Sequence, residues 1–187
     1  MRFLGFAGSL RRRSYNRGLI RAAAEVTPTG IIVETFDLDD VPLYNQDVED
    51  AGEPTAVVTF KEAIARADAL LVATPEYNHG VPGVLKNAID WASRPRATSP
   101  LRDKPVAVMG ATPGRGSTAR AQAQLRDAFV FTSACVMPQP ELLIGSAGAS
   151  FDHDGNLTDP VLRVSLVELM EALRAWTLRI DVDRRAA

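Results

Sequence analysis

The run Ala69-Leu70-Leu71-Val72-Ala73, with the ten residues that follow it, Thr74-Pro75-Glu76-Tyr77-Asn78-His79-Gly80-Val81-Pro82-Gly83, decides the reading of this chain. Five apolar residues in a row, with no polar alternation, suit a strand covered on both faces, as strands of parallel sheets are. Such a strand needs helices beside it, and the pattern supplies them. Upstream, Val57, Phe60, Ile64 and Ala67 fall at helical spacing, and downstream Val84, Leu85, Ala88, Ile89 and Ala92 do the same. The alternation runs to both ends of the chain. Residues 3–7 read as a first strand, followed by a helix face at Leu19, Ile20, Ala23 and Val26, and residues 31–36 as a second, β-branched strand. Residues 106–109 make a fourth strand before a helix over about 117–131. Residues 134–137 are a candidate fifth strand, with Pro138 and Pro140 placed to break it. Leu162, Leu166, Leu169, Met170, Leu173 and Trp176 mark a last helix. Strand–helix alternation five times over predicts an α/β three-layer sandwich with right-handed crossovers, and 2-1-3-4-5 is the economical strand order.

Composition sets the outer bounds. With 187 residues, 46% hydrophobic and 24% charged, the expected organisation is a single domain over residues 1–187, without linker or repeat. Twenty-one basic and twenty-three acidic residues leave a net charge of −2, so neither nucleic acid nor an anionic membrane is expected as a bulk partner. The apolar stretch at residues 3–7 is too short for a signal-peptide core or a membrane span. One cysteine, Cys135, suits a reducing compartment, and a cytoplasmic location is expected. No His, Cys or carboxylate cluster has metal-ligand spacing.

In an open α/β sheet, ligands bind outside the carboxyl ends of the strands where strand order reverses. For 2-1-3-4-5 the relevant loops follow strands one, three and four, and those three have the unusual compositions. The first, Gly8-Ser9-Leu10-Arg11-Arg12-Arg13-Ser14-Tyr15-Asn16, combines short hydrogen-bonding side chains, arginines and the start of a helix. Helix N–H groups and the helix dipole favour an anion there, and arginine adds charge-assisted bonds to phosphate. The plainer alternative is that Ser14 or Asn16 caps the helix and the arginines form a solvated face. The second loop, residues 74–83, holds two prolines and two glycines that fix a shaped turn. Tyr77 there offers a flat face, and Asn78 can bond a heterocycle edge or its own backbone. The third, Thr112-Pro113-Gly114-Arg115-Gly116-Ser117, lets main-chain N–H groups come close to a ligand.

Together these loops, and above all the run Val81-Pro82-Gly83-Val84-Leu85-Lys86-Asn87-Ala88-Ile89-Asp90-Trp91, resemble the NADPH-dependent FMN reductase family. That flavodoxin-like group includes chromate, quinone and azo-dye reductases. The resemblance implies an FMN-dependent oxidoreductase that takes hydride from NADPH or NADH and passes electrons to a small-molecule acceptor: a quinone, azo compound, metal oxyanion or free flavin. It further implies that Ser9, Arg11, Ser14, Tyr15 and Asn16 hold the FMN phosphate. Pro75, Glu76, Tyr77 and Asn78 would line the ring and ribityl chain, and Thr112, Gly114, Arg115 and Gly116 would approach the pyrimidine edge. No side-chain nucleophile is implied, because the flavin carries the hydride. Family members commonly pair as homodimers or homotetramers through the helices after strands three and four.

Glu76 and Lys86 are an alternative ion pair, orienting the second loop against the following helix, while Trp91 and Trp176 read as packing residues and Cys135 as inert core. The competing function is a flavodoxin-like electron carrier reduced by a partner protein. Carriers of that type are more acidic than a chain with a net charge of −2. A serine hydrolase lacks its Gly-x-Ser-x-Gly elbow here, and a phospho-receiver domain lacks its acidic strand ends.

Overall fold

A computed structural model describes the backbone of residues 1–186 and the side chains of residues 1–182. Strand β1 (Arg2–Ala7) lies between β2 (Ile32–Phe36) and β3 (Ala69–Ala73), parallel to both. Next to β3 comes β4 (Pro105–Ala111), again parallel. The fifth position is shared by two short segments. β5 (Cys135–Val136) pairs with the start of β4, and β6 (Leu142–Ile144) pairs with its end. Pro138 and Pro140 stand between them without N–H groups to donate, so the ladder lapses and then resumes. The order β2-β1-β3-β4-β5 is therefore as expected, while the resumption at Leu142 was not anticipated.

Among the described residues six α-helices accompany the sheet: α1 (Tyr15–Glu25), α2 (Gln46–Ala51), α3 (Thr55–Arg66), α4 (Gly83–Ala92), α5 (Ala119–Phe131) and α6 (Pro160–Ala186). Strand side chains alternate between faces, and the core divides accordingly. Ala69, Leu71 and Ala73 pack with Leu19, Ile20 and Ala23 of α1 and Leu166, Leu169 and Leu173 of α6. Leu70 and Val72 pack with Val57 and Phe60 of α3, Leu85 and Trp91 of α4, and Leu125 and Phe129 of α5. Helix α5 begins two residues later than expected. Ser117 sits at φ 54°, a left-handed backbone that no α-helix accepts.

The short helix α2 escaped the sequence reading, although its start is signposted. Asn45 Oδ1 accepts from Asp47 N–H at 2.9 Å, and Asp47 and Glu49 place acid in the first turn. The Val81–Trp91 motif pins this segment to the body of the protein. Asn87 takes the Tyr44 N–H at 2.7 Å and donates to the Pro42 carbonyl at 2.8 Å, while the indole of Trp91 donates to the same carbonyl at 2.8 Å. Trp91 is thus the packing residue expected, with its one polar atom used as an anchor. Trp176 is half-buried and likewise anchored, donating to the Cys135 carbonyl at 2.7 Å. Cys135 itself is half-buried rather than fully inside. No helix among the described residues is long and apolar enough to cross a membrane.

Candidate functional site

The chain leaves β1, β3 and β4 at one edge of the sheet, with their loops stitched side by side. Gly8 N–H donates to the Ala73 carbonyl at 2.8 Å, and Thr74 N–H to the Met109 carbonyl at 2.9 Å. Added bulk is excluded where the strands meet α5. A Cβ on Gly110 would stand 2.2 Å from the Thr74 carbonyl oxygen and 2.5 Å from Thr118 Oγ1.

In the first loop Ser14 caps α1. Its Oγ accepts from Asn16 N–H at 3.2 Å and Arg17 N–H at 3.4 Å, which leaves its own hydroxyl proton for another acceptor. Asn16 does different work from that expected. Its amide donates to the Ala111 carbonyl at 2.8 Å and accepts from Ala111 N–H at 2.9 Å, and the residue is only 2% exposed. The side chain is a strut between α1 and the end of β4, with both its oxygen and its nitrogen engaged by the Ala111 main chain. Arg11 lies over the Tyr15 ring, 5.1 Å from its centroid, and Tyr15 in turn packs on Phe151 at 4.8 Å. Arg13 is drawn away to His153 Nε2 at 2.5 Å and Asp154 at 3.5 Å. Arg17 is held by Asp37 and Asp39, each at 2.7 Å.

The second loop is a two-residue hairpin. Tyr77 and Gly80 exchange N–H···O bonds of 3.1 and 3.0 Å, and the residues between them, Asn78 at φ 50° and His79 at φ 64°, form the left-handed pair of a type I′ turn. Asn78 stands exposed at the tip, and Pro75 is buried at the base. The Tyr77 hydroxyl reaches across to Ser9 Oγ at 3.4 Å. Glu76 and Lys86 do not pair. Lys86 turns along α4 to Asp90 at 2.7 Å, its i+4 neighbour. Glu76 points the other way and accepts from the N–H groups of Arg120 and Ala121 at 2.9 and 3.1 Å.

In the third loop Thr112 is buried, whereas Gly114, Arg115 and Gly116 are exposed. A segment missed in the sequence packs against it. After β6, Ser146 N–H donates to the Gly114 carbonyl at 3.1 Å and Ala147 N–H to the Thr112 carbonyl at 3.0 Å. A Cβ on Gly148 of this segment would stand 3.8 Å from the Tyr15 hydroxyl, so it bridges the first and third loops. The run of small residues Gly145-Ser146-Ala147-Gly148-Ala149 just after a broken strand was the available signal. Beyond it, a hairpin closed by the Phe151–Leu157 bridge grips α1. Arg21 donates there to the Gly155 carbonyl at 3.1 Å and to Asn156 at 2.9 Å.

The three loops share one property. Among the described residues, no acceptor meets the main-chain N–H groups of residues 9–13, of residues 76, 78 and 79, or of residues 114–117. Arg11, Arg12 and Arg115 add exposed cationic side chains to that rim. Such a donor-rich edge suits a ligand bearing many acceptor atoms and a negative charge. A cleft of about 1040 Å³ lies elsewhere, between α4 and α5, and is lined by Arg94, Arg96, Val130 and Phe131 among others.

Over residues 1–149 the sequence matches the family model described as NADPH-dependent FMN reductase. The chain belongs to the NADPH-dependent FMN reductase family. It is an oxidoreductase that works through FMN with NAD(P)H as hydride donor. An NAD(P)H-dependent FMN reductase of Pseudomonas aeruginosa is 46% identical over 180 residues, covering 96% of this chain and 97% of that protein. A 2-hydroxy-1,4-benzoquinone reductase of a Burkholderia species is 41% identical over 169 residues, covering 90% and 92%. Among solved structures, the flavoenzyme NAD(P)H:(acceptor) oxidoreductase of Paracoccus denitrificans superposes with a TM-score of 0.86 at 33% identity, covering 95% of this chain and 97% of that one.

The residues at the sheet edge of this FMN reductase fit its cofactor. FMN pairs a phosphate with a ring whose edge is rich in oxygen and nitrogen acceptors, and the edge supplies main-chain donors from three loops. The third loop also leaves open space beside its main chain. A Cβ on Gly114 would meet only Thr112 Oγ1, at 3.9 Å.

Proposed function

We propose that the edge formed by the three loops is the FMN site of this reductase and that its acceptors are small planar oxidants of the quinone and azo type. The single observation behind the site is the convergence of main-chain N–H groups without protein acceptors on the loops after β1, β3 and β4. In this reading Ser9, Arg11, Ser14 and Tyr15, with the N-terminus of α1, hold the phosphate. Pro75, Tyr77 and Asn78 line the ring and ribityl chain, and Thr112, Gly114, Arg115 and Gly116 meet the pyrimidine edge. Asn16 and Glu76 belong to the frame instead. Bound FMN supplies a two-electron carrier between a nicotinamide and an acceptor.

What the protein adds is position and electrostatics. N–H groups fixed in advance at the ring edge stabilise the negative charge that arrives with hydride, without reorganisation at that moment. Arg11, resting on Tyr15, places a guanidinium beside the N-terminus of α1, where both favour a dianion. The quinone assignment is supported by relatives whose names specify it, including the benzoquinone reductase.

Two further readings accompany this one. The enzyme works as a homodimer or homotetramer through the α4–α5 face, where Val130 and Phe131 are 65% and 73% exposed beside the large cleft. Its location is cytoplasmic, in keeping with a single cysteine outside any disulfide.

The deciding experiment is an anaerobic visible spectrum of the FMN-reconstituted protein before and after NADPH or NADH, followed by addition of a benzoquinone. Bleaching by the nicotinamide and recovery with the quinone is the expected result. A flavin that binds but stays yellow with both donors refutes the reductase reading in favour of an electron carrier. Failure to bind FMN refutes the site.

A further inference from the structure

Helix α5 starts without a cap of its own. Thr118, at the N-cap position, makes no capping bond with its side chain, and the first turn holds no acidic residue. Thr118 Oγ1 instead accepts from Gln122 Nε2 at 3.0 Å. The first-turn donors are met from a distance of 44 residues in sequence. Glu76 Oε2 accepts from Arg120 N–H at 2.9 Å and Ala121 N–H at 3.1 Å, and the Arg120 guanidinium stands 3.5 Å from Oε1. The Glu76 side chain is only 8% exposed. A second tie fastens the other end of the same hairpin. Gln124 Oε1, one turn further along α5, accepts from Val81 N–H at 3.0 Å. Gly80 is the residue that lets it in, since a Cβ there would stand 2.9 Å from that oxygen.

We infer that Glu76 is a positioning residue, one that acts by docking the 76–81 hairpin onto α5 and so fixing the gap between the second and third loops. This rests on those loops being the walls of the FMN ring site. Three features separate this role from an ordinary surface ion pair. The carboxylate is buried, its partners are main-chain donors of a helix end, and both ends of one short hairpin are tied to the same helix. A charge-assisted bond to a helix N-terminus draws on the helix dipole as well as on the two N–H groups. The arrangement also neutralises the positive end of α5, which leaves the α1 end as the one that favours the phosphate. Glu76 therefore separates the two jobs of the site: α1 holds the anion, and α5 is anchored and spoken for.

The test compares Glu76→Ala, Glu76→Gln and Arg11→Ala in the full chain, with FMN and riboflavin as probes. Riboflavin carries the ring without the phosphate. Glu76→Ala is expected to weaken both flavins to the same extent, by about tenfold or more, since two main-chain donors at a helix end lose a charged acceptor. It should also shift the visible absorption bands of bound flavin, because the ring walls move. Glu76→Gln keeps one acceptor oxygen and should recover most of the affinity and the wild-type spectrum. Arg11→Ala should weaken FMN alone and leave the spectrum as it was. Circular dichroism and the melting temperature establish that each variant is folded. A folded Glu76→Ala protein that binds both flavins as the wild type does, with unshifted bands, overturns the inference while leaving the FMN site intact. Wild-type protein that binds neither flavin overturns the site itself. If Glu76→Ala fails to fold, Gln124→Ala decides, because it frees the other end of the same hairpin. It must weaken riboflavin and FMN together, and a folded variant that binds both as the wild type does, or loses FMN alone, refutes the positioning role.

Discussion

Replacing Asn16 by alanine removes the two bonds that join α1 to the end of β4, and the structure sets the size of the loss. Ala111 is 1% exposed and Asn16 2%, so neither the Ala111 N–H nor its carbonyl finds water in place of the amide. Each buried polar group left without a partner costs roughly 1–3 kcal/mol, and relaxation with some water entry keeps the pair toward the lower half of the sum. An expected destabilisation of about 2–4 kcal/mol follows. At this chain length that corresponds to a drop of roughly 4–16 °C in melting temperature. Asn16→Asp should be no remedy. It keeps an acceptor for the Ala111 N–H but sets a second oxygen against the Ala111 carbonyl, where the amide had donated. The assay is urea unfolding of the apo protein, combined with titration of FMN and riboflavin. If Asn16 is a strut, stability falls while the ratio of FMN to riboflavin affinity stays at its wild-type value. A protein with wild-type stability and a selective loss of FMN affinity would make Asn16 a phosphate ligand and refute the argument.

Three more outcomes follow from the same geometry. Arg11→Ala should weaken FMN by about tenfold at low ionic strength and by less at high salt, because an exposed guanidinium acts through a screened field; unchanged affinity at low salt rules out its place at the phosphate. Gly18→Ala should not fold normally, since the new Cβ would lie 1.9 Å from the Gly155 carbonyl oxygen, and a wild-type melting temperature would show that the 151–157 hairpin does not grip α1 as described. That hairpin should also loosen in acid. Hydrogen bonds from Asn156, main chain then side chain, hold the Asp152 carboxyl below the usual aspartate range, and the Leu162 N–H does the same first among the bonds to Asp159. Carboxylates lowered in the folded state stabilise it above the unfolded value of about 3.9 and lose that contribution as pH falls through their folded values. Amide exchange at residues 151–159 should rise below about pH 4 while the central strands stay protected; uniform exchange across the protein at that pH would count against a local effect.

How much of this was legible in the sequence depends on what each residue spends its atoms on. The strands were legible because burial on both faces leaves an unbroken apolar run, as in Ala69–Ala73, and a parallel sheet then fixes where the ligand edge must be. The second half of the broken fifth strand was harder. Three residues, Leu142–Ile144, are too few to show a period, and the prolines before them read as a stop. The same break hid the Gly145-Ser146-Ala147 segment that closes the site against Gly114 and Thr112. Individual roles were the least legible. Asn16 and Glu76 have the chemistry of ligands and lie in the right loops, yet Asn16 bonds Ala111 and Glu76 caps α5, partners 95 and 44 residues away.

That ambiguity has a physical cause that extends to the whole site. A polar side chain next to a ligand and a polar side chain that orders the ligand's loops have the same sequence signature, because each is a short hydrogen-bonding group near a strand end. What separates them is whether a main-chain partner takes the side chain first. Here the long-range struts use side chains, namely Asn16, Glu76 and Gln124, while among the described residues no acceptor meets the loop N–H groups of residues 9–13 and 114–117. A cofactor held largely by main-chain donors places little demand on which residues stand in those loops, provided they turn correctly and the struts hold them apart. Substitutions in the frame should therefore damage this enzyme more than most substitutions at the exposed rim. Asn78 and Arg115, both exposed, should accept change with modest effect, whereas the buried Asn16 and the nearly buried Glu76 should not.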